Sequence, residues 1–236
     1  ARIAAAGAAP LLVALLHRLH TDMKPTYRVS AIKVLRCIAA VDAAMAEAAG
    51  ALPVLLSILS VLSSGAQGAH KAVATAALEC IACIAQALPV QAVAAGAIPV
   101  LLTTSLEHAR SKLLLDTLVS PSVVDQLVED RGRPETAAIF AAALAAACSP
   151  AADVASAEKV LEAVNRVAYR DAKLASCLAS AGCVHSVVVL LLRPGVNSSV
   201  ALAVLTNIAS DNAEEGLRAR AHIVEIGAVP VLARVM

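Results

Sequence analysis

The sequence predicts an all-α fold, a solenoid of short stacked helices that repeats about every 44 residues. Alanine, the best helix former, makes up about a quarter of the 236 residues, and aromatic residues only 1%. A Gly-x-x-Pro phrase returns along the chain, and a second phrase, Leu-x-Cys/Asn-Ile-Ala, lies near the end of several predicted helices. No useful stretch alternates apolar and polar residues, so no strand is predicted.

The Gly-x-x-Pro phrase marks the repeat junctions. It begins at Gly7, Gly50, Gly96 and Gly227, with a variant at Gly182, and the glycine intervals are 43, 46, 86 and 45. The interval of 86 is two periods of 43, so we predict one more junction at Gly132, with uneven intervals of 36 and 50. We expect residues 103–156 to be the irregular part of the stack, with Pro150 closing a helix.

The chemistry of the phrase predicts a sharp corner between two helices. Glycine adopts the left-handed conformation that ends a helix. Proline two or three residues later fits the first turn of the next helix, where its missing N–H is not needed. A short first helix such as Ala87–Ala95 therefore leads into a second helix such as Pro99–Leu106.

A third helix completes each predicted repeat after a loop. Four such helices are predicted in the sequence: Tyr27–Ala40, Lys71–Gln86, Ser156–Tyr169 and Ser198–Ser210. We treat residues 1–236 as one repeat domain with about three helices per repeat. Terminal repeats of a free solenoid have a polar outer face. Neither end here is polar, so we expect the chain to be a segment of a longer protein.

Two stretches resemble armadillo repeats most closely. Ala95–Pro99 reads Ala-Gly-Ala-Ile-Pro, the corner of that family, and Leu205–Ala209 reads as the end of its third helix with Ile in place of Leu. The resemblance implies a right-handed armadillo-repeat solenoid. HEAT repeats are the nearest alternative, but they pair two helices and lack this corner.

Composition argues against several classes of protein. Hydrophobic residues make up 59% of the chain and the mean hydropathy is +0.78, yet the apolar runs end before the roughly 20 residues that a membrane span needs. A net charge of +1 without a basic stripe argues against nucleic acid as a partner. The six cysteines lie along helical segments, and no signal peptide begins the sequence. We therefore predict a reducing, cytoplasmic location with the cysteines in the core.

No motif in the chain predicts a catalytic, cofactor or metal site. Cys80-x-x-Cys83 lacks the second ligand pair of a zinc site, and His17-x-x-His20 near Asp22 offers too few ligands. Gly65–Lys71 lacks the preceding strand and the Gly-Lys-Ser/Thr ending of a phosphate-binding loop. We therefore expect no enzyme in this segment, although an enzymatic domain in flanking sequence stays an alternative.

The resemblance implies a concave groove lined by the third helices. Such a groove would show seven residues: Lys33, Cys37, Cys80, Thr117, Glu162, Arg166 and Asn207. We predict partner binding by five of them: Lys33, Thr117, Glu162, Arg166 and Asn207. Asn207 has the residue type with which the family bonds the backbone of a bound peptide; a helix-capping bond or a bond between repeats is the alternative. The chain has no Trp, which importin-α-like receptors carry one turn earlier, and it lacks the dense positive row of catenin-like proteins.

The predicted function is a non-catalytic scaffold or adaptor within a larger complex, binding a peptide or helix of a partner protein in the groove. Two alternatives remain open. In the first, the chain is a structural component of a cytoskeletal or ciliary (axonemal) assembly and is located at the cytoskeleton or cilium. In the second, it is an armadillo-type myosin chaperone.

Overall fold

Helices account for 85% of the residues that the computed structural model describes, and no strand occurs among them. The described residues are 7–18, 24–62, 68–104, 108–210 and 214–225, together with Gly227 and Val229. The all-α repeat fold predicted from the sequence is thus confirmed. The chain divides into two units, Ala1–Leu118 and Val119–Met236, and each is described by itself.

The first unit contains eight described helices. In chain order they are α1 (Ala8–Arg18), α2 (Pro25–Val41), α3 (Ala43–Ala48), α4 (Ala51–Leu62), α5 (Ala69–Ala87), α6 (Pro89–Ala94), α7 (Ala97–Thr103) and α8 (His108–Leu118). The helices α3, α4 and α5 form one complete first–second–third set, and α6, α7 and α8 form the next. The long helices α2 and α5 are both third helices, and they pack along each other.

The corner at Gly96 joins the first helix of a repeat, α6, to its second helix, α7. Its φ of 84° and ψ of 29° are left-handed, as predicted, and they end α6. The Gly96 N–H donates to the carbonyl oxygen of Val93 at 3.0 Å, which closes the last turn. Pro99 then lies in the first turn of α7. The chain reverses here within a few residues because glycine adopts this conformation without a Cβ penalty.

The core of the first unit lies between its second and third helices. From α2 the fully buried side chains are Ile32 and Leu35, and from α4 they include Leu55 and Ile58. The helix α5 meets both helices and buries Ile81 among other apolar residues. This apolar contact holds α2 and α5 side by side, so their remaining faces form one continuous surface.

The second unit contains seven described helices. They are α9 (Pro121–Arg131), α10 (Arg133–Ala147), α11 (Val154–Arg170), α12 (Ala172–Ser180), α13 (Cys183–Leu191), α14 (Ser198–Ala209) and α15 (Glu214–Glu225). The third helices are α11 and α14, and they pack against each other. Asp153 and Asp171 cap α11 and α12 by accepting backbone N–H bonds from Ser156 and Leu174.

The corner at Gly132 differs from the others in its geometry. Its φ is 77° but its ψ is 169°, so the backbone leaves α9 extended, whereas Gly182 is left-handed like Gly96. The second helix that follows, α10, has 15 residues, compared with 7 in α7. The chain's single Phe, Phe140, is buried in α10. All six predicted junction glycines have positive φ; a single domain over residues 1–236 stays a prediction.

Candidate functional site

The third helices of the first unit are joined by an ion pair between equivalent positions. Arg36 on α2 donates from Nη1 to a carboxylate oxygen of Glu79 on α5, 43 residues later. Both side chains are partly exposed, at 41% and 27%. The pair therefore lies on the solvent-facing surface that α2 and α5 share.

An open cleft of about 620 Å³ runs beside this ion pair. Small or apolar side chains and charged side chains both line it. The lining residues are Val29, Lys33 and Arg36 from α2, and Gly68, Lys71, Ala72, Thr75, Ala76 and Glu79 at the start and along α5. Among the predicted site residues, only Lys33 lines this cleft.

Two of the three predicted residues of the second unit take part in bonds between neighbouring repeats. Asn207 on α14 donates from Nδ2 to Oδ1 of Asn165 on α11 at 2.9 Å. Arg166 on α11 reaches back to the carbonyl oxygen of Val119 at 3.4 Å. Both side chains are half-buried. The inter-repeat bond that was the alternative for Asn207 is therefore present.

The two other predicted residues lie apart from these bonds. Glu162 is exposed, one turn before Arg166 on α11. Thr117 is half-buried on α8, and its hydroxyl donates to the carbonyl oxygen of Leu113 on its own helix at 3.1 Å. The structure thus places Glu162, Arg166 and Asn207 on adjacent third helices of one unit, and Lys33 and Thr117 on separate helices of the other.

Cys80 lies in the core, as predicted for the cysteines, and not on the groove face where the armadillo resemblance would place it. Cys80 is fully buried on α5, and burial, with a further contribution from Cys83, raises the pKa of its thiol to about 12. Cys37, at the equivalent position on α2, is exposed. The difference arises because α5 is packed against α2, α4 and α8, so less of its surface remains free.

A second, smaller cleft of about 240 Å³ lies in the second unit. It is lined by residues of α9, α11 and α12: Val124, Asp125, Val128, Glu129, Arg166, Val167, Arg170, Asp171 and Leu174. Arg170 pairs with Asp125 across it, and Arg133 donates to Asp171 at 2.5 Å.

Asp171 is the carboxylate of this cleft whose titration is shifted. Burial opposes ionisation of its carboxyl group. The hydrogen bond from Arg133 and the backbone N–H of Leu174 outweigh that effect and lower the pKa of Asp171. The carboxylate of Asp171 is therefore stabilised in its ionised form, because it caps α12 and pairs with Arg133.

The motifs considered for metals gain no support from their surroundings. Among the described residues, no group of three or more His, Cys, Asp and Glu side chains is placed to hold a metal ion. His20 and Asp22, the other two residues of the motif that includes His17, lie outside the described residues. Residues 65–67 of the glycine-rich loop also lie outside them.

Within the described part of the chain, no single helix has both the length and the apolar character to cross a membrane. One pair of helices, α12 and α13, passes the same test together by length and composition alone, and it is bent by 84°.

The repeating unit is now defined by its parts. First, second and third helices follow one another, with a positive-φ glycine between the first and the second. This order of helices and glycine corners is the one expected for the all-α repeat predicted from the sequence.

Comparison with known proteins finds distant structural similarity. The sequence matches no protein-family model and no curated protein. Similar solved structures include an engineered protein with 23% identity, covering 96% of this chain and 88% of that one at a TM-score of 0.42. A designed armadillo repeat protein has 21% identity, with 95% and 90% covered and a TM-score of 0.41.

The cleft residues Arg36, Lys71 and Glu79 were missed by sequence reasoning. Lys33 and Arg36 lie three residues apart on α2, and residues at that spacing share a helix face. The same spacing applied to α5 from Glu79 reaches Ala76, Ala72 and Thr75, which also line the cleft. Extending the predicted groove along each helix by this spacing would have found most of the lining.

Proposed function

We propose that this chain is a non-catalytic protein-binding scaffold whose third-helix faces bind a peptide or helical segment of a partner. The observation that carries the proposal is the open cleft between α2 and α5. Its small and apolar lining residues, including Val29, Ala72 and Ala76, can accept side chains of a partner, while its charged residues can fix their position.

In the second unit we assign the same role to the face that carries Glu162, Arg166 and Asn207. Arg166 and Asn207 each use a donor in the inter-repeat bonds described above. A guanidinium and an amide have further donors and acceptors. Those groups, with the carboxylate of Glu162, can form hydrogen bonds with the backbone of a bound segment. On α8, Thr117 is assigned a lesser part through its hydroxyl oxygen.

We further propose that the scaffold acts in the cytoplasm within a larger complex. All six cysteines are free, which fits a reducing compartment. The burial that raises the pKa of Cys80 and Cys183 to about 12 keeps both thiols protonated and unreactive. They act as small apolar core residues, and no chemistry is assigned to them.

A displayed peptide library selected on the purified chain tests the binding proposal. Selected peptides are measured by fluorescence anisotropy against Lys33→Ala and Glu162→Ala. Lys173→Ala is the matched control, because Lys173 is exposed on α12 and lines neither cleft. We expect a several-fold loss of affinity in one of the first two variants and none in the control. Peptides whose binding is unchanged in every third-helix variant would show that the proposal is wrong.

A permanent structural subunit of a cytoskeletal or ciliary assembly is the second candidate. Large apolar side chains stand exposed on or next to second helices: Leu11 is 72% exposed, Val61 57% and Leu192 58%. Apolar groups of this kind favour contact with another protein surface. The candidate predicts that the purified chain oligomerises or aggregates. A clean monomer in size-exclusion chromatography at high concentration would contradict it.

A further inference from the structure

The cleft between α2 and α5 carries an excess of positive charge. Among the described residues that line it, three are cationic, Lys33, Arg36 and Lys71, and one, Glu79, is a carboxylate, so these residues carry a net charge of +2. The whole chain has a net charge of only +1. The excess is therefore local to this cleft and is not a property of the protein surface in general.

The two lysines are the groups whose charge is not neutralised. Arg36 pairs with Glu79. Lys33 and Lys71 are exposed, and neither forms an ion pair or hydrogen bond with another described residue. Lys71 also lies in the first turn of α5, which contains no acidic residue. A cation there is opposed by the helix dipole, so an anion from outside is favoured at this end.

The cleft of the second unit provides a contrast within the same chain. Its cations Arg166 and Arg170 face three carboxylates, Asp125, Glu129 and Asp171, and Arg170 is paired with Asp125. That cleft is therefore slightly negative. An anionic ligand would be attracted to the α2–α5 cleft and not to its counterpart.

We propose that the α2–α5 cleft binds an acidic segment of a partner protein, in which carboxylates alternate with small apolar residues. The carboxylates meet Lys33 and Lys71, and the small side chains lie against Val29, Ala72 and Ala76. The proposal rests on the scaffold function above and adds the chemistry of its ligand. Nucleic acid is disfavoured because none of the residues lining the cleft is aromatic, so bases find no stacking surface.

The probe is a fluorescein-labelled peptide of alternating Glu and Ala, with the Gln–Ala peptide as its neutral analogue. We expect the acidic peptide to bind and its affinity to fall as salt is added, because exposed charges are screened. Lys33→Glu combined with Lys71→Glu should weaken binding about tenfold, since each exposed ion pair contributes up to about fivefold. Lys173→Glu, the same charge change outside both clefts, should leave the affinity unchanged.

A variant that should tighten binding of the acidic peptide complements the two lysine substitutions. Glu79→Gln removes the one carboxylate among the described lining residues and releases Arg36, so it should tighten binding of the acidic peptide several-fold. Circular dichroism of each variant checks that the helices are intact. Tighter binding in one variant and weaker binding in the other cannot both come from partial unfolding.

Three results would overturn the inference. The first is equal affinity for the Glu–Ala and Gln–Ala peptides, and the second is no binding of either. The third is a single-stranded oligonucleotide that binds more tightly than the acidic peptide and is lost in the same lysine variants. Peptides from the library selection that bind a third-helix face without acidic residues would leave the scaffold function standing while this inference fails. The absence of any third-helix ligand would remove both.

Discussion

Arg193 donates a 2.8 Å hydrogen bond from Nη1 to the carbonyl oxygen of Ala147, the last residue of α10. The same guanidinium also reaches the carbonyl oxygens of Ser149 and Ala152. The last carbonyl groups of a helix have no partner within it. A side chain that follows α13 thus satisfies the end of the preceding second helix.

We expect Arg193→Ala to lower the free energy of unfolding by about 1.5–3 kcal/mol, because it leaves partly buried carbonyl groups unpaired. Arg170→Ala is the matched control: its ion pair with Asp125 is largely exposed, and its loss should cost less than about 1 kcal/mol. Urea unfolding followed by circular dichroism measures both. Equal costs would show that Arg193 is merely another surface arginine.

The bond between Asn165 and Asn207 predicts an energetic coupling between α11 and α14. In a double-mutant cycle with alanine at both positions, we expect a coupling of about 0.5–1.5 kcal/mol. Thr206→Ala supplies the control with Asn165→Ala, because the Thr206 hydroxyl bonds Leu202 of its own helix. That control cycle should be additive. Coupling of the same size in both cycles would contradict a specific amide–amide bond.

Backbone strain at Gly96 predicts a graded response to substitution. Nothing lies within 4 Å of a Cβ placed there, so any cost comes from the φ of 84° and not from a collision with other residues. We expect Gly96→Val to destabilise by about 1–3 kcal/mol. Gly96→Asn should cost less, since asparagine tolerates the left-handed region. Equal destabilisation by Val and Asn in urea unfolding would argue against this explanation.

Asp171 predicts a pH-dependent contribution to stability. Its pKa is lowered in the folded state, so the stabilisation is fully present above the ordinary carboxyl pKa of about 3.9 and is lost as the pH falls through the folded value. Asp171→Asn keeps a cap acceptor but loses the charge. We expect it to destabilise at neutral pH, and the difference from the parent to shrink toward about pH 2.5.

The matched control for that experiment is Asp130→Asn, because Asp130 is an exposed carboxylate at the end of α9. It should stay within about 0.5 kcal/mol of the parent at both pH values. A penalty for Asp171→Asn that persists undiminished in acid would mean that packing, and not charge, is lost.

The third helices could be predicted from sequence to within two residues at either end. Lys71–Gln86 was predicted where α5 spans Ala69–Ala87, and Ser156–Tyr169 where α11 spans Val154–Arg170. Long amphipathic segments carry this information locally. The corner at Gly96 could also be predicted from the sequence, because Gly readily adopts the left-handed conformation and Pro favours the first turn of a helix whatever their neighbours.

Exposure along those helices could not be predicted in the same way. Cys37 and Cys80 occupy the same place in nearly identical phrases, yet one is exposed and the other buried. Nothing in the local sequence distinguishes them, since the number of neighbouring helices decides. The cleft beside Lys71 could be predicted only in part: helical spacing groups its residues on each helix, but the cleft itself forms only when two segments 43 residues apart pack together.

The two kinds of link between repeats carry different consequences for how such a chain can change over evolutionary time. Arg166 and Arg193 bond backbone carbonyl oxygens of an earlier repeat, and every repeat offers such oxygens whatever its side chains. Arg36 and Asn207 instead need a particular side chain opposite them. Duplicating or deleting a whole repeat would therefore preserve the arginine-to-backbone links and break the side-chain pairs. The arginine-to-backbone links leave the number of repeats open to variation, whereas the side-chain pairs fix the order of neighbouring repeats.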